Sequence, residues 1–449
     1  MSTHSQPHRS TPRGAPATTG GFLRAWRELI GTAAVPTIPR RRGRRARVPL
    51  ADLLPALTYH VVQETGTLAE HFLQLFGTTL ADSSWSDRRQ RLPWEIFTEL
   101  MQRVLRPRAK RTHAGSFWRD WRLVALDGTQ FSLTNTAQVR ASRLKARSRR
   151  GRAAFAKMTA VVLLELGLHN PLAAAIGRAR ESEWALAPQL LSQLPACALL
   201  LGDRLYGCAA FAAQAWTACQ RVGSHFLLRA RTPIKTQRIR SLRDGSWLVR
   251  VPVYDPQHKK RIVEWLEVRE IRVRVGRPGH RGHLLRLWTS LRDPRTAPAL
   301  ELAQLYAQRW EHELYFRDLK HQLRKTAVLQ SHTVDTGAQE IAAVVLASAV
   351  LAADRATIAG DDLAALRISF PKLLHVVQGM WFTVAFGEGV VTERQMQTML
   401  KRGYAFLRQC RTPPRRSRSC PRKVRQPIKR WPRLMRNESV EGPFQLEIL

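Results

Sequence analysis

The stretch that most restricts the fold is Leu302-Ala-Gln-Leu-Tyr306-Ala-Gln-Arg309-Trp310-Glu-His-Glu313-Leu-Tyr-Phe-Arg317-Asp-Leu-Lys320. It holds no Gly or Pro and is rich in helix formers, so it is expected as one continuous helix. At ~100° per residue, Tyr306, Arg309, Glu313 and Lys320 fall within an arc of roughly 60°. Arg317 and Arg324 project to the same side. Leu302, Leu305 and Phe316 border this stripe on one flank, Trp310 and Leu314 on the other. Charge framed by apolar neighbours is costly to bury unless it is paired or holds a metal or a phosphate. The alternative is a solvated face decorated by Glu–Arg and Glu–Lys pairs; the apolar borders point the wrong way for it.

Charge narrows the partners. Lys and Arg number 73 against 34 Asp and Glu, a formal net charge of +39. Such an excess predicts a polyanionic partner, above all nucleic acid. Anionic membrane is the other polyanion, but the longest apolar run, Ile341 to Ala353, is short of the ~20 residues a span needs and is expected as a buried helix. Met1 to Gly21 is polar with no apolar central region, so no signal peptide is expected. The five cysteines form no CxxC pair and no Cys/His zinc spacing, which predicts a reducing cytoplasm and neither structural zinc nor a disulfide framework.

The chain of 449 residues has room for two or three domains. Residues 1–49 are expected as a disordered basic arm, with Arg40 to Arg47 either tracking phosphates or forming a solvated linker. Residues 50–115 are expected as a helical DNA-binding domain. In it, Arg88, Arg89 and Arg91 follow a short polar helix; a helix-turn-helix and a plain helical bundle both fit. From 116 the pattern turns to strands. Trp121 to Leu126 is an apolar run that ends in Asp127-Gly128-Thr129, either a site at a strand end or an ordinary turn. Cys197 to Leu201 is a continuous apolar run, as in a central buried strand, and delivers Gly202-Asp203-Arg204-Leu-Tyr206-Gly207. Asp203 there either belongs to a site at the end of a sheet or caps the helix Ala209 to Arg221. Short alternating strands between 232 and 283 are expected as an all-β insertion. The first part of the sheet domain is thus 116–231, and its second part, with the signature helix, 284–405. Residues 406–449 are expected as a basic flexible tail, a DNA tether or a solvated extension.

Tyr306-x2-Arg309-x3-Glu313-x6-Lys320 resembles the signature of one large group of bacterial DDE transposases, which mobilise cut-and-paste insertion sequences. Asp127-Gly-Thr and the Gly-Asp203-Arg-x-Tyr-Gly string are similar to the settings of that group's two catalytic aspartates. The resemblance implies an α/β, ribonuclease H-like catalytic domain with a β-strand insertion, preceded by a helical N-terminal domain. It implies a triad of Asp127, Asp203 and Glu313 that binds two Mg²⁺ ions, with Mn²⁺ as a substitute, and cleaves and joins DNA. Hard carboxylate oxygens suit Mg²⁺, and a metal pair ~3.5–4 Å apart suits in-line displacement at phosphorus. Tyr306, Arg309, Lys320, Arg317 and Arg324 would hold DNA beside the cut, and Trp247 or Trp265 would stack on a flipped base. The partners implied are double-stranded DNA, as inverted repeat ends and target, and a second copy of the chain on paired ends. The setting implied is the bacterial cytoplasm, with the protein associated with the nucleoid. A nuclease of the same fold without strand transfer, and a non-catalytic DNA-binding descendant, are the competing expectations; filled triad positions disfavour the second.

Overall fold

The computed structural model describes residues 50–413, apart from 64, 78, 143, 144, 146, 149, 150, 259, 277–281, 325 and 387–389, together with 445–448. The expected basic arm at 1–49 and most of the expected tail lie outside the described residues.

One mixed sheet organises the molecule. Its strands are β1 (Phe117–Trp118), β2 (Trp121–Ser132), β5 (Lys157–Glu165), β6 (Asn170–Ile176), β7 (Ala198–Gly202), β8 (His225–Arg229), β9 (Gln237–Ser241), β10 (Trp247–Tyr254), β11 (Ile262–Gly276), β12 (His283–Thr289) and β13 (Gln445–Ile448), while β3 (Arg147–Ser148) and β4 (Gly151–Arg152) form a separate ribbon. The order across the sheet is β6-β5-β2-β7-β8-β12-β11-β10-β9, with β1 on β2 and β13 on β11. The pairs β2–β7 and β7–β8 are parallel and the other pairs antiparallel. Every residue of β7 is buried, as its unbroken apolar run predicts for a strand covered on both faces.

The strands expected as an all-β insertion do not stand apart. They hydrogen-bond through β11 and β12 to β8, and so extend the central sheet. The strands there are not all short, since β11 runs unbroken for fifteen residues. The polar pair that suggests a break, Arg269 and Glu270, is fully buried instead. Arg269 pairs with Asp244, and Glu270 accepts from Arg286 Nε at 2.7 Å and from Trp288 Nε1 at 3.0 Å. Ion pairing there removes the penalty that would have ended the strand. At the other end of the chain, residues 445–448 of the expected flexible tail pair with Val273–Gly276 of β11.

Helices Leu50–Val62, Leu68–Phe76, Asp82–Gln90 and Trp94–Val104 come first. Thr67 and Glu70 form a capping box at the start of the second, and Gly77 closes it in the left-handed region at φ 63°, where a residue without Cβ carries no steric cost. Leu57, Phe72, Trp85 and Phe97 share one apolar core with Leu123, Leu199 and the long helix Val334–Ala359. That helix starts before the stretch that the sequence marks, because Thr333 caps it in a box with Thr336, and it ends after it, at the Gly360 cap. With 26 residues it is long and apolar enough to cross a membrane, yet its most apolar window is 89% buried inside the protein. Arg89 also points inward. Its guanidinium donates to Ser331 Oγ at 3.1 Å and to the Thr336 carbonyl at 3.0 Å, and its own carbonyl accepts from Gln339 at 2.7 Å. The DNA contact expected of Arg89 is therefore corrected to an anchor between this helix layer and the long helix.

Candidate active site

The register of the sheet brings the two aspartates together. The parallel pairing of β2 with β7 ends at Leu126 opposite Gly202, so Asp127 and Asp203 are the next residues of two adjacent strands. Asp127 Oδ1 accepts from its neighbour Gly128 N at 2.9 Å, and Asp203 Oδ1 accepts from Leu205 N at 2.7 Å. Asp203 is thus fixed by its own turn, whereas Asp127 lies in the middle of the twelve-residue strand β2, which runs on to Ser132 and so corrects the expected strand end or turn at Asp127-Gly128-Thr129. Gly207 follows because any Cβ there would fall 1.7 Å from the carbonyl oxygen of Arg229; the turn after Asp203 lies directly on the end of β8.

The signature segment docks on the same two points. His312 is fully buried and its Nε2 lies 2.9 Å from the carbonyl of Val162, the residue opposite Asp127 on β5. Burial holds the His312 imidazole down at about 3, so it stays neutral and donates to that carbonyl. Tyr306 Oη donates to the carbonyl of Gly202 at 3.3 Å, one residue before Asp203, and burial pushes its phenol up to about 12. Glu313, next to His312, is thereby delivered to the aspartates.

The expected single regular helix is corrected. It runs as α-helix Ala299–Tyr306, a 3-10 turn Ala307–Arg309, α-helix Trp310–Asp318 and a π-turn Leu319–Leu323. Helical propensity does not encode such changes of winding; they follow the tertiary contacts of Tyr306, Arg309 and Lys320, and π-turns of this kind gather at functional sites. Arg309 bridges two carboxylates, at 3.5 Å from Asp127 Oδ2 and 3.0 Å from Glu313 Oε1. Lys320 donates to Thr129 Oγ1, two residues past Asp127, and lies over the Phe131 ring. Burial and the nearby Lys157 and Arg324 bring the Lys320 ammonium down to about 8.

Asp127, Asp203, Glu313, Tyr306, Arg309, Arg317 and Lys320 all line one open cleft of about 510 Å³, with Arg204, Arg229 and His321 as further basic lining. Arg317 is more than half exposed there and lies 3.3 Å from Asp318. Arg324 does not join them. It is buried, 3.5 Å from Glu340 and over Phe131, a correction to its expected contact with DNA. Of the other basic candidates, Arg88 is half-buried, and Arg91 is exposed with Asp87 at 4.0 Å. Trp247 is enclosed by Arg238 and Arg272. Trp265 is exposed, but it lies on the part of β11 beyond the β12 pairing, away from the end of β8 that borders the cleft.

Charge in the cleft is unbalanced in an informative way. Burial pushes the Asp127 carboxyl up to about 7; Arg309 opposes the rise, while Asp203 and Glu183 add to it. Among the described residues no group of three or more His, Cys, Asp or Glu side chains forms a ready metal cage. An open cleft with hard carboxylate oxygens on two adjacent strands and a helix nevertheless fits Mg²⁺, which keeps several waters and uses one or two carboxylates plus substrate phosphate. Crowding of like charge at Asp127 is the condition that a divalent cation relieves. The residue that sequence reasoning missed is Glu183, whose side chain lies against Gly128. An acid in the first turn of a helix reads as ordinary dipole pairing, so nothing in the local sequence marks it.

Residues 118–349 match the family described as transposase DDE domain. The chain is 27% identical over 371 residues to the transposase InsG for insertion sequence element IS4 of Escherichia coli (strain K12), covering 79% of this chain and 78% of that protein. Among solved structures, the piggyBac transposase synaptic complex with hairpin DNA matches with a TM-score of 0.45 and 8% identity over 85% of each chain. With its matched span running from β1 into the long central helix, the chain belongs to the DDE transposase family, as a bacterial transposase of the IS4 type.

Proposed function

We propose that the protein binds the inverted repeat ends of an insertion sequence as double-stranded DNA, cuts them and joins them to target DNA, in the cytoplasm and as a dimer on paired ends. The observation that carries this reading is the meeting of Asp127 and Asp203, side by side on β2 and β7, with Glu313 from a separate helix in one basic-rimmed cleft. The strand order β6-β5-β2-β7-β8 supports a ribonuclease H-like scaffold for it. Asp127, Asp203 and Glu313 would hold two divalent ions, Mg²⁺ or Mn²⁺, which supply charge stabilisation at phosphorus and a more acidic attacking hydroxyl.

The chain's own residues do the rest. Arg317, Arg204 and Arg229 give the phosphate backbone a cationic wall in the cleft. Arg309 sits between Asp127 and Glu313 and opposes the rise that burial gives the Asp127 carboxyl. Lys320 reaches a point two residues along β2 from Asp127, so it grips the strand at a different place from Arg309. The two cations divide their work accordingly, and misplacing a reacting group by ~1 Å costs on the order of 10²-fold in rate.

The test uses single alanine substitutions at Asp127, Asp203 and Glu313. Each should abolish Mg²⁺-dependent cleavage of repeat-end DNA and leave binding to that DNA intact, because affinity rests on arginines elsewhere. Cleavage retained in any of the three overturns the assignment. Lys320→Ala should keep first-strand nicking and lose strand transfer, whereas Arg309→Ala, which also frees two carboxylates, should lose more of the nicking. Nicking without strand transfer by the parent protein would identify a nuclease instead.

A further inference from the structure

We propose that Glu183 is a positioning residue that locks the spacing between Asp127 and Asp203, acting through Gly128 on one strand and Tyr206 on the other; this rests on the catalytic reading of the cleft given above. Gly128 directly follows Asp127, and a Cβ built on it would fall 2.4 Å from Glu183 Cδ and 2.6 Å from Glu183 Oε2. The Glu183 carboxyl therefore lies on the bare backbone of β2 beside the first aspartate. Tyr206, three residues past Asp203, is fully buried and donates its hydroxyl to Glu183 Oε1 at 2.7 Å. One carboxylate thus touches both the strand that bears Asp127 and the turn that follows Asp203.

The side chain is held from behind. Ser182 caps the short helix Glu183–Leu186, with its Oγ accepting from Ala185 N at 3.3 Å. Leu186, Ala187, Leu190 and Leu191 bury the turns that follow, so Glu183 cannot drift with the solvent. The Tyr206 hydroxyl is buried and depends on this acceptor, and leaving a buried donor without one is unfavourable. Groups that orient the ligands of a metal, without ligating it, typically change affinity or activity 10–100-fold when removed.

The experiment compares the full-length parent with Glu183→Ala, Glu183→Gln, Tyr206→Phe, Gly128→Ala and the double variant Gly128→Ala/Glu183→Ala. Measured are kcat and KM on a repeat-end duplex, Mn²⁺ half-saturation without DNA by electron paramagnetic resonance, and Tm. Glu183→Ala should lower kcat about 50-fold and weaken Mn²⁺ about tenfold, with KM for DNA within about threefold of the parent. Glu183→Gln, which keeps shape and acceptor, should recover kcat to within about tenfold. Gly128→Ala should displace Glu183 and resemble Glu183→Ala. The double variant should be no worse than Glu183→Ala, because the new methyl then has room.

Wild-type kcat and Mn²⁺ binding in Glu183→Ala overturn the proposal. So do fully additive losses in the double variant, which would show that Gly128 and Glu183 act separately. A drop in Tm that takes KM down with it, without rescue by Glu183→Gln, reduces Glu183 to a packing residue and equally overturns it. Should Glu183→Ala fail to fold, Glu183→Gln and Tyr206→Phe preserve the volume, and parent-like values in both decide against the proposal. Asp203→Ala separates the two layers of inference. If it still cleaves, the reading of the cleft fails; if it is dead while the Glu183 variants are normal, only the positioning role fails.

Discussion

Asp127 and Glu270 are both carboxylates drawn into the same sheet, on β2 and β11, and their surroundings are opposite. Glu270 is 1% exposed and its oxygens accept from Arg286, Arg272 and the Trp288 ring nitrogen. Burial alone would raise its carboxyl, but those donors bring it below the usual carboxylate range. Asp127 accepts from Gly128 N, has one long contact with Arg309 and two carboxylate neighbours, and burial above all pushes its carboxyl up to about 7. A saturated buried acid serves the fold; one with fewer donors, within a strand that borders a cleft, is held ready for a partner from outside.

The comparison can be broken most directly at Asp127. Asp127→Asn should lower DNA cleavage on the order of 10³-fold or more while Tm stays level or rises, since a crowded charge disappears. A matching fall in Tm would place Asp127 with Glu270 as a structural acid. Next in size is Glu270→Ala, which leaves Arg286 and Trp288 without their acceptor. Breaking a buried pair of this kind costs about 3–5 kcal/mol, read by denaturant unfolding, and any surviving folded protein should cleave normally. A smaller effect should separate Arg89 from Arg91. Arg89→Ala removes hydrogen bonds to Ser331 and Thr336 and should cost about 1–3 kcal/mol of stability without changing the salt dependence of DNA binding. Arg91→Ala should leave stability within about 0.5 kcal/mol.

An effect read against pH concerns a buried base. His60 Nδ1 lies 2.9 Å from His71 Nδ1, and burial, then His71 and Arg89, bring the His60 imidazole down to about 4. The unfolded chain takes up this proton near pH 6.5, before the folded one does. Stability from His60 is therefore complete above about 6.5 and is lost as pH falls toward 4. Thermal melts of the parent should show that decline, and His60→Gln should flatten it; an unchanged slope would remove desolvated histidine from the comparison.

Much of the site was legible before the fold. Asp127, Asp203 and Glu313 were each marked by a strand end or an apolar-bordered helix, and all three line the cleft. Local pattern could not show what depends on register. Arg89 and Arg324 look like surface cations in sequence, and only the long helix reveals Ser331, Thr336 and Glu340 waiting for them. The winding changes at 307–309 and 319–323 are set by contacts over a hundred residues away, such as Tyr306 with Gly202. Arg269 and Glu270 misled for the same reason, because their buried partners come from other turns and strands. Glu183 carries no local signal at all, since its meaning lies in a glycine on another strand.

The helix Val334–Ala359 packs with the first helices of the chain and with the sheet in one apolar core. During synthesis this has a cost in time. Strand β6 leaves the ribosome more than one hundred and fifty residues ahead of the long helix that packs on it, a wait on the order of ten seconds or more at ~5–20 residues per second. A sheet face left uncovered over that interval should make the yield of folded protein sensitive to the rate of translation. Synonymous codon changes between 133 and 333 should therefore alter soluble yield without altering a single side chain.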